Sequence, residues 1–207
     1  MRLRLVLAAG AGVLALATPA MATVPATDCH GVAFTDASND QYLVTSANTL
    51  VRPTVALDIR RVYFTGSGAT QRVNIEVGEL ASWNNTEYRF SWNDDVNFPY
   101  SWELIGQFLG TNGTADVTTQ AILQHNDING SWVSLSGHAS VTAYHGAAGQ
   151  PGVISFGLPD AADYGPGGFP STVTGMHAEA VQYESNVLTD IALRQDTATG
   201  ADWSQPC

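Results

Sequence analysis

Two alternating runs lie between Thr86 and Leu109. In the first, Tyr88, Phe90 and Trp92 take every second position between Glu87, Arg89, Ser91 and Asn93; in the second, Tyr100, Trp102 and Leu104 alternate with Ser101 and Glu103. A period of two puts each apolar set on one face of a β-strand. The short acidic tip at Asn93, Asp94 and Asp95 joins the runs, so the pattern predicts a central hairpin whose aromatics supply core.

The same reading extends along the chain. Gly31 to Thr35 is apolar and leads into a polar turn, and Thr45 to Pro53 is polar and ends at a proline, as loops do. In Val55 to Phe64, Leu57 and Ile59 share one parity and Val62 and Phe64 the other, which predicts a β-bulge near Arg60-Arg61. Gly66-Ser67-Gly68 turns the chain into Val73, Ile75 and Val77, with Asn74 and Glu76 facing outward: a hairpin. Val117 to Leu123 reads as a strand. Val133, Leu135, Gly137, Ala139, Val141 and Ala143 read as one face of a single long strand. Val153 to Leu158 is a short strand, Asp160 to Pro170 a Gly/Pro-rich loop, Val173 to Tyr183 a last core strand, and Asp190 to Cys207 a polar tail. About eight or nine strands, closely spaced turns and no amphipathic helix predict an all-β fold. The expected form is a single-domain antiparallel β-sandwich, jelly-roll-like.

The ends change the picture in one respect. Arg2 and Arg4, the apolar run Leu5 to Ala17 and the small residues Ala20-Met21-Ala22 describe a secretory signal peptide over residues 1–22, leaving residues 23–207 as the sandwich. No later stretch is apolar enough to insert in a membrane, so an extracellular bacterial protein, soluble and monomeric, is expected. In that compartment Cys29 and Cys207, the two cysteines, are expected to form a disulfide joining the two ends of the domain.

Composition narrows the partners. With 19 acidic residues against 8 arginines and no lysine, the net charge is −11. Such a chain repels nucleic acid and anionic membranes and suits neutral ligands or cations.

Candidate chemistry is sparse. There is no Gly-x-Ser-x-Gly, His-Glu-x-x-His or phosphate loop. No strand carries two carboxylates at the spacing that aims both into one cleft, and Glu76, Glu87 and Glu103 read as single outward carboxylates. His177 and Glu179 share a strand face and could serve as an acid–base pair or as metal ligands. His30, His125, His138 and His145 have no metal-ligand spacing. Asp36, Asn39 and Asp40 form a turn, and the expected disulfide would bring them toward Asp196 and Asp202; together these five define a candidate structural calcium site. Among the tryptophans, Trp92 and Trp102 share the parity of the core. Trp83, followed by Asn84 and Asn85, and Trp132 sit at loop edges and are the candidate platforms for stacking a sugar ring.

A family resemblance rests on four short motifs: the turn Asp36 to Asp40, Leu57-Asp58-Ile59, the alternating run Val73 to Leu80, and Gly200-Ala201-Asp202-Trp203 before Cys207. Together they resemble the DOMON-like or family 9 carbohydrate-binding-module-like group of secreted bacterial sandwiches, although Ala37 and Asn39 stand where that turn has Pro and Gly. The expected function is a secreted, non-catalytic binding module for a polysaccharide or cell-wall glycan. The alternatives are a cell-envelope or extracellular structural protein without a small ligand and, third, a secreted hydrolase.

Overall fold

A computed structural model describes residues 24–38, 42–43, 57–78, 80, 86–94, 100–109, 118–126, 129–135, 139–146, 149–158, 172–183, 192–200 and 203–204. In chain order the strands are β1 (Val32–Thr35), β2 (Tyr42–Leu43), β3 (Ile59–Thr65), β4 (Arg72–Val77), β5 (Thr86–Asp94), β6 (Tyr100–Leu109) and β7 (Thr118–Asn126). They continue with β8 (Trp132–Leu135), β9 (Ser140–Tyr144), β10 (Gly152–Gly157), β11 (Thr172–Tyr183), β12 (Ala192–Thr199) and β13 (Trp203–Ser204). One 3-10 turn, Gly68–Thr70, caps the β3–β4 hairpin.

The strands form two antiparallel sheets, the all-β sandwich that the pattern predicts. The smaller sheet runs β1-β3-β4-β10-β9 and the larger β2-β12-β11-β5-β6-β7-β8, with β13 pairing the start of β11. The core fills the space between them. Phe64, Val73, Ile75, Ile154 and Phe156 come from the smaller sheet and Tyr88, Phe90, Trp92, Trp102, Leu104, Phe108, Leu123 and Ala178 from the larger. The central hairpin pairs in full register from Thr86↔Phe108 to Asp94↔Tyr100. The Trp92 and Trp102 rings stack across it with centroids 6.2 Å apart, and Phe64 meets Phe90 edge-on across the two sheets at 5.9 Å. The sheets come especially close at Gly106, where a Cβ would lie 2.9 Å from the Phe156 ring and 3.0 Å from Val141; only glycine fits there without a shift.

The predicted bulge is present, with the register slipping between Ile59 and Arg61. Three expectations are corrected. The run from Val133 to Ala143 is not one strand: β8 closes the larger sheet and β9 belongs to the smaller, so the chain changes sheets after Leu135. The polar tail contains a sheet strand, β12, which pairs with β11 over its full length. Asn74 and Glu76 do turn away from the core, yet both are buried. Asn74 donates to the Tyr63 carbonyl and to Thr65, and Glu76 accepts from Arg61.

That burial has a visible contributor. Tyr63 shares the outer face of the smaller sheet and donates its hydroxyl to the Pro25 carbonyl at 2.6 Å, while Asp28 accepts the Gly66 N–H at 2.8 Å. The segment before β1 therefore runs over this face. Burial pushes the Tyr63 hydroxyl up to about 12, with Glu76 adding to the shift and Arg61 opposing it. Among the described residues no helix is long and apolar enough to cross a membrane.

Candidate functional site

The outer face of the larger sheet is where its polar residues meet. Residues directly opposite in neighbouring strands share a face, so the register arranges this surface in rows. One row is His177, Ser91, Glu103, Gln124 and Ser134; the next is Glu179, Arg89, Ile105 and Ile122; the third is Val181, Glu87, Gln107 and Gln120. Toward the hairpin tip lie Asn93 and Ser101, joined by a 2.9 Å hydrogen bond, and then Asn126 opposite Trp132. A bulge in β11 between Thr174 and His177 contains Gly175 at φ +55, where a Cβ would strike the Asn93 amide. Glycine is what allows the strand to bend there.

Arg89 is the hub. Its guanidinium is hydrogen-bonded to Glu87, which is almost fully buried and also accepts from Gln107 Nε2 at 2.9 Å. Glu179 Oε2 lies 3.6 Å and Glu103 Oε1 4.0 Å from the same Nη1. Gln124 Nε2 donates to the other Glu103 oxygen at 2.6 Å. The three carboxylates that read as isolated in sequence are thus not isolated: Glu87 and Glu103 share one cluster with Glu179, and Glu76 is paired with Arg61 on the opposite sheet.

The electrostatics follow from half-burial beside one cation. Burial raises the Glu103 carboxyl above its usual range; the Gln124 hydrogen bond and Arg89 oppose that shift, and Glu87 adds to it. Glu179 is raised for the same leading reason, with Arg89 opposing and Glu103 and Glu87 reinforcing. Burial lowers His177, which is therefore neutral at neutral pH. For Arg89 burial disfavours the charge, but Glu87, Glu103 and Glu179 outweigh it and hold the guanidinium protonated.

Trp132 adds the apolar component. It lies on the edge strand β8, on the same face as Gln124 and Glu103, and is 48% exposed, the largest side chain so presented among the described residues. Opposite it on β7 the Asn126 Oδ1 is buried without a hydrogen-bond partner. With strands about 4.8 Å apart, Trp132 stands roughly 10 Å across the sheet from β6 and roughly 14 Å from β5. That distance suits an extended ligand.

The other sequence candidates fall elsewhere. Trp83, Asn84 and Asn85 lie outside the described residues, as do Asn39, Asp40, Asp202 and Cys207. Asp36 and Asp196 do converge on one place, the bulge that opens β3: the Asp36 N–H donates to the Arg60 carbonyl at 3.0 Å and Asp196 Oδ2 accepts the Ile59 N–H at 2.7 Å. The other Asp196 oxygen accepts its neighbour's N–H at 3.0 Å. Calcium takes six to eight oxygens, and the other three residues of that candidate set lie outside the described residues. Asp196 acts as a clamp between the sheets, reaching from β12 to β3. Asp28, Cys29 and His30 bring three ligand-type atoms together, and within that group His30 Nδ1 lies 2.6 Å from Asp28 Oδ1. His125 packs on the Trp102 ring, 5.0 Å between centroids, and His145 Nδ1 is 2.7 Å from the Leu80 carbonyl oxygen.

No family model and no curated protein matches the chain. Among solved structures it is similar to a Bacteroides uniformis protein provisionally described as carbohydrate-binding, at 10% identity over 75% of each chain with a TM-score of 0.36.

Proposed function

We propose that this protein is a secreted carbohydrate-binding sandwich whose ligand lies across the outer face of the larger sheet. One observation carries the reading: an exposed tryptophan, Trp132, shares that face with a half-buried set of hydrogen-bonding groups, Glu103, Gln124, Arg89 and Glu179. Sugar rings present C–H faces that stack on an indole and hydroxyls that bond to carboxylates, amides and guanidinium. The two kinds of contact share one face here, set apart by the width of two or more strands. Export, with a Cys29–Cys207 disulfide closing the domain, belongs to the same proposal.

A polysaccharide pull-down of the wild type and of Trp132→Ala tests the reading, with melting curves confirming that both are folded. Binding should fall at least tenfold in the variant. Trp83→Ala, assayed alongside, reports on the second candidate platform. Retention of wild-type binding by Trp132→Ala would remove the basis for placing the ligand on this face.

A hydrolytic reading has one observation in its favour. Glu103 and Glu179 approach the same Arg89 nitrogen, so their near oxygens are at most about 8 Å apart, below the upper limit of roughly 9.5 Å used by glycosidases. Such enzymes need one carboxyl held protonated and the other ionised. Here burial shifts both in the same direction, with the arginine between them. Binding is therefore the better description.

A further inference from the structure

Arg72, on the outer face of the smaller sheet, differs from the other arginines whose side chains are described. Arg60, Arg61 and Arg89 pair with Asp58, Glu76 and Glu87 in turn. Arg72 bonds only neutral oxygens. Its Nε donates to Ser155 Oγ at 2.7 Å and its Nη2 to the Ser155 carbonyl at 2.8 Å, with Thr142 Oγ1 at 3.5 Å, the limit of a hydrogen bond. Those contacts occupy one edge of the guanidinium and fix its plane. Among the described residues nothing bonds Nη1. The carboxylates on this side of the molecule are engaged elsewhere: Glu76 accepts from Arg61, and Asp28 from the Gly66 and His30 N–H groups.

Arg72 borders a cavity of about 200 Å³, lined also by Thr70, Gln71, Ser140, Gly157 and Leu158 and by no carboxylate. Two features mark it as a place for a ligand. Gln71, only 5% exposed, leaves its Nε2 buried with no hydrogen-bond partner, a costly state that an acceptor, met by a turn of the amide, would relieve. Arg72, Gly157 and Ser140 stand opposite one another in β4, β10 and the start of β9, and Gly157 keeps the floor between them open. A Cβ there would lie 2.5 Å from Ser140 Oγ and 3.9 Å from Arg72 Nη1. No left-handed backbone accounts for that glycine.

A cation with an open edge, an amide donor and a hydroxyl therefore converge, and such donors match the oxygens of an anion. We propose that this cavity is a second ligand site, on the sheet opposite Trp132, for a small oxyanion group, an organic carboxylate or a sulfate. Arg72 Nη1 holds it, with Gln71 and Ser140 alongside. The volume, the share of about seven waters in the liquid, admits such a group and its nearest atoms. The chain's net charge of −11 opposes approach of an anion, but salt screens exposed charges beyond about 8 Å, so the local cation decides.

Calorimetric titration of the wild-type protein with sodium glucuronate, its neutral isostere glucuronamide and sodium sulfate, at one fixed ionic strength, tests this, with the Gln71 side-chain amide followed by NMR. Glucuronate or sulfate should saturate one site, move that amide resonance and bind about tenfold more tightly than glucuronamide. Which of the two binds distinguishes a carboxylate from a tetrahedral oxyanion. Gly157→Ala keeps Arg72 and fills the floor; with its fold checked by melting, it should weaken binding about tenfold. Arg72→Gln should erase the preference for the anion over glucuronamide, and Trp132→Ala should leave binding unchanged. Equal binding of glucuronamide overturns the oxyanion assignment. Anion binding that survives both Gly157→Ala and Arg72→Gln, or no saturable binding of either anion, overturns the site and leaves Arg72 as a clamp on β10.

Discussion

Arg89→Met removes the cation at the centre of the carboxylate cluster and keeps most of the side chain's apolar length. Glu87, whose side chain is 3% exposed, then loses its ion-pair partner and keeps Gln107 as a neutral donor. Breaking a buried pair by removing one member costs about 3–5 kcal/mol. Arg89 is itself about one-third exposed, so water can partly take its place, and the expected loss is nearer 2–4 kcal/mol at neutral pH. The loss should depend on pH in a defined direction. Glu103 and Glu179 titrate above their unfolded values, so their ionisation opposes folding: the stability linked to them is complete in acid and declines as pH rises through the folded-state values. Without Arg89 the cluster loses the positive charge that opposes those shifts, so the variant's deficit should be greatest near about pH 7 and shrink toward about pH 4, close to the ordinary carboxylate range. Urea unfolding of wild type, Arg89→Met and Arg89→Met/Glu87→Gln at both pH values measures it, and the double variant should recover most of the loss. A deficit equal at the two pH values and unrelieved by Glu87→Gln would mean that Arg89 acts through the packing of its stem, and the electrostatic account would be wrong.

Other substitutions probe the frame. Asp196→Ala deprives the Ile59 N–H of its acceptor between the sheets and should cost about 2–4 kcal/mol in chemical denaturation; a change under half a kilocalorie would refute the clamp. Gly106→Ala drives a methyl into Phe156 and Val141 and should destabilise by about 1–3 kcal/mol through overpacking, read as a lowered melting temperature. If Cys29 and Cys207 are bridged, the non-reduced protein has a mass lower by two hydrogens, and Cys29→Ser loses about 2–4 kcal/mol; an unchanged midpoint would mean the bridge is absent or without effect.

Much of the frame was legible in the alternation of residues because the core aromatics fall on one parity. Tyr88, Phe90 and Trp92 face Trp102, Leu104 and Phe108 across the hairpin, and the parity slip around Arg60 marked the bulge. What periodicity does not carry is which strands become neighbours. Glu87 and Glu103 are visibly outward in sequence, and so is Glu179. Their meeting around Arg89 depends on β11 pairing with β5 across more than eighty residues of chain. The missed β12 has a local cause: its inward positions are Asp196 and Ala198, a carboxylate where a strand pattern calls for an apolar residue. The unbroken alternation from Val133 to Ala143 concealed a change of sheet, since side-chain parity continues through a crossover that the backbone does not. Trp132 was found from its place beside a turn; its companions on the face were not.

The segment near Pro25 lies against the smaller sheet, on the far side of the molecule from Trp132. A tether, fusion partner or affinity tag joined ahead of that segment would leave from the back of the sandwich, with the polar face pointing away from the attachment. Immobilised by that end on a sensor chip or a cell surface, the protein would hold the candidate site outward, whereas coupling through groups on β8 would press it against the support.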